Sequence, residues 1–143
     1  MGKFVADAAI KQMIKVGKAP TKSKVVILGL TFKENCPDTR NSKVADVYNS
    51  LMEYGVQPIV IDPWASEHDA KHEYNIELKP MEDAKDADCV ILAVAHNEFK
   101  QLGLDILSGM FKDIPQKEKV LIDVKGLYSV TDLSNSGLTY WRL

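Results

Sequence analysis

The stretch of this chain best equipped for chemistry runs from Gly29 to Ser42, where Gly29-Leu30-Thr31-Phe32-Lys33 is followed by Asp38-Thr39-Arg40-Asn41-Ser42. Gly29 supplies a tight turn, Phe32 an aromatic face and Lys33 a cation. Arg40 stands just before a segment that reads as a helix. A helix start suits an anion, because its unpaired N–H groups and its dipole point outward. Together these are parts for holding a base and a phosphate. A plainer account is also open, in which Lys33 and Arg40 are solvated loop charges paired with Glu34 and Asp38. Arginine is scarce here: of 18 basic residues only Arg40 and Arg142 are arginines. Only the planar guanidinium grips a phosphate or carboxylate at two points.

The same stretch lacks a full glycine fingerprint. Gly29 stands where G-x-G-x-x-G would begin, but Thr31 and Glu34 fill the next two glycine positions. A dinucleotide lying across this turn in the usual way is therefore not expected, whereas a mononucleotide held by side chains remains open. Other candidates weigh less. Cys36 lies near Lys33 and Arg40 but has no histidine close in sequence, so a nucleophile role is not favoured. His68 and His72 stand four apart on a polar segment, yet no third ligand converges with them, so no metal site is expected. His96 follows a predicted strand at a ligand-facing end and is open to either a functional or a simple loop role. Trp64 and Trp141 read as core or interface residues.

These residues need a scaffold, and the apolar pattern supplies one. Continuous runs at Val25–Leu28, Pro58–Asp62, Cys89–Val94 and Val120–Val124 fit strands buried on both faces of a parallel sheet. Leu138–Leu143 reads as a last strand and Ile76–Leu78 as a short edge strand. Between them, helical periodicity predicts helices over residues 3–16, 42–54, 66–74, 98–102 and 104–111. Ser42 is the expected N-cap of the second helix and Gly55 closes it. Strands alternating with helices predict an α/β, doubly wound, mostly parallel sheet with an N-terminal helix. In such sheets ligands sit beyond the carboxyl ends of the strands. Three loops qualify: Gly29–Asn41, Ala95–Phe99 and Lys125–Ser129.

Composition excludes several classes. At 143 residues with net charge −2, and with charges well mixed, the chain has no electrostatic footprint for nucleic acid or an anionic membrane. No apolar run reaches the roughly 18 residues that a membrane span needs. Two cysteines do not make a disulfide framework, and the composition suits the cytoplasm. The helix at 3–16 starts without a cap and carries a wide apolar stripe, which suggests the tail of something longer.

The string from Leu28 to Ser42 resembles the UDP-binding domain of the UDP-glucose/GDP-mannose dehydrogenase family. Asp62-Pro63-Trp64, the Asp88–Ala95 strand and the terminal Tyr140-Trp141-Arg142-Leu143 agree with it, so the likeness covers nearly the whole chain. The Glu34-Asn35-Cys36-Pro37-Asp38 variant is similar to the branch acting on UDP-N-acetylhexosamines. The resemblance implies a Rossmann-like fold, with residues 1–18 as the tail of a central linking helix and residues 22–143 as a UDP-sugar-binding domain. It implies a parent enzyme that oxidises the sugar's C6 alcohol to a carboxylate in two NAD-dependent steps, for surface polysaccharide. Its partners would be the UDP-sugar, the remaining domains and a second copy in a homodimer.

Carried over by position, Phe32 and Lys33 match the pair that contacts the UDP-sugar. Arg40 matches an arginine reaching toward NAD. Lys125 stands where the family often has a substrate-contacting arginine; it keeps the charge but not the fork. Asp62 is expected to fix its loop rather than touch substrate. The family's nucleophilic cysteine motif and its Rossmann fingerprint are both missing from the sequence. No catalytic residue is therefore expected in the chain, and NAD is expected to be held mainly by another domain. The alternative is a stand-alone, non-catalytic nucleotide-binding module.

Overall fold

Four apolar runs set the sheet. In the computed structural model, which describes residues 2–143, β1 (Val25–Leu28), β3 (Cys89–Leu92) and β4 (Val120–Asp123) are buried along their whole length. With β2 (Ile59–Ile61) and β5 (Thr139–Arg142) they make an all-parallel sheet in the order β2-β1-β3-β4-β5. The register pairs Val26 with Ile59 and Val90, then Val90 with Leu121, and Leu121 with Tyr140. Successive side chains point to opposite faces, so each strand feeds two cores. Val25, Ile27, Cys89, Ile91, Val120 and Ile122 belong to one. Val26, Leu28, Val90, Leu92 and Leu121 belong to the other.

The first core is closed by α1 (Gly2–Lys15), α2 (Lys43–Glu53) and α3 (Glu67–Tyr74). The second is closed by the short α4 (Asn97–Lys100), α5 (Leu104–Ser108) and α6 (Val130–Ser136). The doubly wound, Rossmann-like α/β reading is therefore what the chain adopts. The wide stripe on α1 has a local explanation: Val5, Ala6, Ala9, Ile10 and Met13 are buried against this chain's own sheet and α2. The stripe thus carries no argument about what precedes it. Phe4 (58% exposed) and Ile14 (59%) stay outside it.

Three expectations need correction. Ile76–Leu78 is not a strand. Ile76 turns into the core, and only Leu78 forms a bridge, to Val60, because Asn75 caps α3 in a left-handed conformation and Pro80 stands two residues beyond Leu78. β3 stops at Leu92, since the N–H groups of Ala93 and Val94 both turn onto the Leu28 carbonyl (2.9 and 3.3 Å). A helix was also missed. α6 is announced by Ser129, whose side chain accepts from the Asp132 N–H, and is closed by Gly137 in the left-handed region.

At the amino ends of the strands, Asp88 gathers three donors: Lys18 Nζ at 2.9 Å, Lys112 Nζ at 2.7 Å and the Lys24 N–H at 2.8 Å. This clasp joins the segment after α1 to the starts of β1 and β3. Burial would raise the Asp88 carboxyl, but hydrogen bonds from Lys112 and Lys18 outweigh it and hold it below the ordinary carboxylate range. A depressed folded-state pKa stabilises above the unfolded value of about 3.9 and is lost as pH falls through the folded value. Asp88→Ala is expected to cost about 2 kcal/mol at pH 7, since Lys18 loses a buried partner while Lys112 returns to water. In guanidinium titrations the gap between variant and unaltered chain should close as pH is lowered from 5 toward 2. A gap independent of pH would contradict the clasp.

Candidate functional site

In the order β2-β1-β3, the chain leaves β1 toward one side and returns on the other, so the crevice beyond the carboxyl ends of β1 and β3 is the switch point. Its floor is made by Gly29, at φ 104°, crossing directly against Val94. A small cavity of about 90 Å³ opens there. Phe32 from the β1 loop, Val94 from the β3 end, Lys125 from the β4 end and Lys43 from the start of α2 line it, and Val5 of α1 closes one side. Phe32 keeps 53% of its surface exposed, and Lys33, Lys43 and Lys125 are exposed cations.

Side chains from other elements hold this floor in shape. Asp62, at the end of β2, is almost fully buried. Its Oδ2 accepts the N–H groups of Leu30 (2.6 Å) and Thr31 (3.1 Å), and its Oδ1 those of Trp64 (2.7 Å) and Ala65 (3.0 Å). His96 Nε2 completes the set at 3.0 Å. Burial would raise this carboxyl, but the hydrogen bonds from His96 and from the Leu30 and Trp64 amides keep it below the ordinary range. Asp62 thus fixes the loop, as expected from sequence. Asp123 does the same after β4, accepting from the Leu127 and Tyr128 N–H groups at 3.0 Å each, which sets the loop carrying Lys125. Ser42 caps α2 through the Val44 and Ala45 N–H groups and donates to the Leu30 carbonyl (2.5 Å), tying the helix start to the β1 loop.

The structure therefore brings Phe32 and Lys125 to one cavity, with Lys33 next to Phe32 on the same loop. Arg40 is elsewhere. Its Nε and an Nη reach both oxygens of Asp38 (3.0 and 3.1 Å), and Glu73 and Asp69 of α3 add to the field that holds its charge. The plainer account of Arg40 as a loop ion pair thus describes its contacts in this structure, whereas no ion pair involves Lys33 among the described residues. Cys36 is partly buried in the same loop, and no base is hydrogen-bonded to it among the described residues. His68 and His72 stack with centroids 6.0 Å apart, and the described residues contain no group of three metal ligands. Trp64 is a half-exposed rim residue that donates to Glu98 (2.8 Å) and lies over His96. Trp141 packs edge-on against Phe4.

Lys43 is the site residue that spacing did not single out, and His96 was placed at the right strand end without its partners. Lys43 had a signal, as a cation on the first residue after a predicted N-cap. The partners of His96 had none, being 34, 61 and 65 residues away. A larger cavity of about 500 Å³ lies on the other face, over Ile61, Leu78, Phe99 and Leu102. Its rim carries Glu67 and Glu98 against a single cation, Lys79. Such a rim repels a diphosphate, so the crevice, lined by Lys43 and Lys125 with Lys33 on the adjoining loop, is the better anion site. The turn after β1 does not suit a bound dinucleotide: the space beside Gly29 is filled by Val94, and Thr31 and Glu34 stand at the second and third glycine positions of the fingerprint.

Comparison with known proteins agrees with this geometry. Residues 26–130 match the model of the UDP-glucose/GDP-mannose dehydrogenase family, UDP binding domain. The chain is 42% identical over 127 residues to the UDP-N-acetyl-D-glucosamine 6-dehydrogenase of Pseudomonas aeruginosa, covering 89% of this chain and 29% of that protein. It is 35% identical over 143 residues to Protein CapL of Staphylococcus aureus, covering all of this chain and 32% of the relative. The chain thus spans about a third or less of the relatives it matches. Among solved structures, the NDP-N-acetyl-D-galactosaminuronic acid dehydrogenase of Methanosarcina mazei Go1 superposes with a TM-score of 0.82 at 17% identity, over 99% of this chain and 28% of its own. At that identity the likeness shows the fold alone. The family match, over more than half the chain and on the loop that builds the crevice, shows that this protein belongs to the UDP-glucose/GDP-mannose dehydrogenase family and carries that family's UDP binding domain.

Proposed function

We propose that the crevice holds the uridine diphosphate portion of a UDP-N-acetylhexosamine, within an NAD-dependent nucleotide-sugar 6-dehydrogenase of which this chain is the C-terminal part. The observation that carries the reading is the meeting of Phe32 and Lys125 at one cavity, with Lys33 on the same loop. Phe32 offers a face for the base, and Lys33 and Lys125 offer charge for the diphosphate. At about 90 Å³ the cavity is far smaller than the roughly 300–1,000 Å³ that encloses a ligand of this size. The remaining walls would come from the rest of the parent, with residues 1–18 leading in from a central linking helix. NAD would be bound mainly by another domain, with Arg40 reaching toward it. We further assign the parent to the cytoplasm, as a homodimer supplying a uronate for surface polysaccharide. In this reading no residue of the chain is catalytic.

The test is calorimetry of the chain with UDP and with ADP. The expected result is weak binding of UDP, near millimolar because half the site is missing, and binding of ADP at least several-fold weaker. Equal affinity for the two, or none for either up to several millimolar, would overturn the reading.

A further inference from the structure

We propose that His96 is a positioning residue for the nucleotide-binding loop, acting through the Asn35 backbone amide; this rests on the reading that Phe32 and Lys33 hold UDP. His96 is completely buried between the β1 loop and the β2 turn. Its Nδ1 accepts the Asn35 N–H at 2.9 Å, so that nitrogen is the bare one and the proton sits on Nε2. Nε2 faces Asp62 Oδ2 at 3.0 Å and Thr31 Oγ at 3.2 Å. Thr31 Oγ gives its own proton to the Lys33 carbonyl at 2.9 Å, which leaves it free to accept from Nε2. All donors and acceptors are thus assigned without conflict. One ring ties both ends of the Thr31–Asn35 segment, which carries Phe32 and Lys33, to the carboxylate that already holds Leu30.

The tie fixes a turn in the segment. Asn35 turns at φ 55°, in the left-handed region, which asparagine tolerates better than other residues with a Cβ but still at some cost relative to the ordinary basins. A second tie is reciprocal: the Asn35 amide group donates to Asn97 Oδ1 (3.2 Å), and the Asn97 N–H donates to Asn35 Oδ1 (2.9 Å). Asn97 is the residue after His96, so the β3 end grips Asn35 by both backbone and side chain. Phe32 and Lys33 project from the loop between these fastenings with no hydrogen bond to either side chain among the described residues. Their placement therefore comes from the loop backbone.

Two substitutions separate positioning from plain support. In His96→Asn the side-chain oxygen takes the place of Nδ1, keeping the acceptor for Asn35 and losing the donor to Asp62. In His96→Gln the amide nitrogen takes the place of Nε2, with the reverse outcome. His96→Gln is expected to weaken UDP binding about 10-fold, as the competent loop shape falls to roughly a tenth of the population, and to speed exchange of the Asn35 amide in the ligand-free chain. His96→Asn should lower the melting temperature at least as much, yet bind UDP within about 2-fold of the unaltered chain. Affinities that fall in step with melting temperature in both variants, or stay unchanged in both, would overturn the proposal. Should both variants fail to fold, Asn97→Ala removes the Asn97 Oδ1 half of the exposed tie and keeps the backbone half. It is expected to weaken UDP roughly 3-fold with little change in melting, and no weakening would likewise overturn the proposal. If the unaltered chain does not bind UDP, the functional reading fails and this inference with it. If the chain binds UDP and His96→Gln binds equally well, only the inference fails.

Discussion

Replacing Gly29 with alanine is expected to cost about 3 kcal/mol or more of folding free energy, from two separable causes. Gly29 sits at φ 104°, where a side chain is strained whatever space surrounds it. An added Cβ would also lie 2.5 Å from Val94 Cβ and 2.9 Å from the Val94 backbone nitrogen, and a backbone atom cannot step aside as a flexible side-chain tip can. Two other glycines separate these causes. Gly17 has φ 83° and nothing within 4 Å of an added Cβ, so Gly17→Ala carries the conformational strain alone, about 1 kcal/mol. Gly103 has neither a positive φ nor a neighbour within 4 Å, so Gly103→Ala should be near neutral. Guanidinium midpoints at constant slope should fall in the order Gly103→Ala, Gly17→Ala, Gly29→Ala. A Gly29→Ala midpoint no lower than that of Gly17→Ala would show that the β1–β3 crossing yields easily and that the crevice floor is not rigid.

That crossing also marks how far the sequence alone could be read. The strands were legible because burial on both faces leaves an unbroken apolar run, and Val25–Leu28 and Cys89–Leu92 are such runs. Asp62 was legible as a loop anchor through the family resemblance, and at the end of β2 it does meet the turn amides of Trp64 and Ala65. α6 was missed because Val130–Ser136 buries a single residue, Leu133, and so shows almost no periodicity. Ile76–Leu78 was misread because an alternating pattern also arises when one residue dips into a core and the next two run along its edge. The His96 clamp was invisible, because its partners meet only once three loops have been set at the same end of the sheet. The wide stripe of α1 was legible as a covered face, but periodicity does not name the cover, which is this chain's own sheet and α2.

The last expected result concerns Lys33 and Arg40, which the functional reading assigns to different ligands of the parent enzyme. Lys33 is exposed beside Phe32, and no ion pair competes for it among the described residues. In the full-length protein, Lys33→Ala should therefore raise KM for the UDP-sugar roughly 10- to 150-fold, as expected for a lost charge-assisted contact to an anion, and leave KM for NAD nearly unchanged. Arg40→Ala should do the reverse, with a rise of similar size for NAD. Its pairing with Asp38 sharpens the test. Asp38 also accepts the Phe32 N–H through its backbone oxygen (2.8 Å) and the Arg40 N–H through its carboxylate (2.9 Å). If the Arg40 side chain serves mainly to steady that turn, its loss loosens the segment bearing Phe32. Both KM values would then rise together, and melting temperature would fall. Asp38→Asn separates the two roles, because it weakens the ion pair while leaving the Arg40 guanidinium free to reach toward NAD. On the cofactor assignment Asp38→Asn keeps KM for NAD within about 3-fold, whereas on the turn-steadying account it reproduces the Arg40→Ala defect. Steady-state kinetics with each substrate varied in turn distinguishes them. A UDP-sugar defect in Arg40→Ala without an NAD defect would refute the assignment of Arg40 to the cofactor.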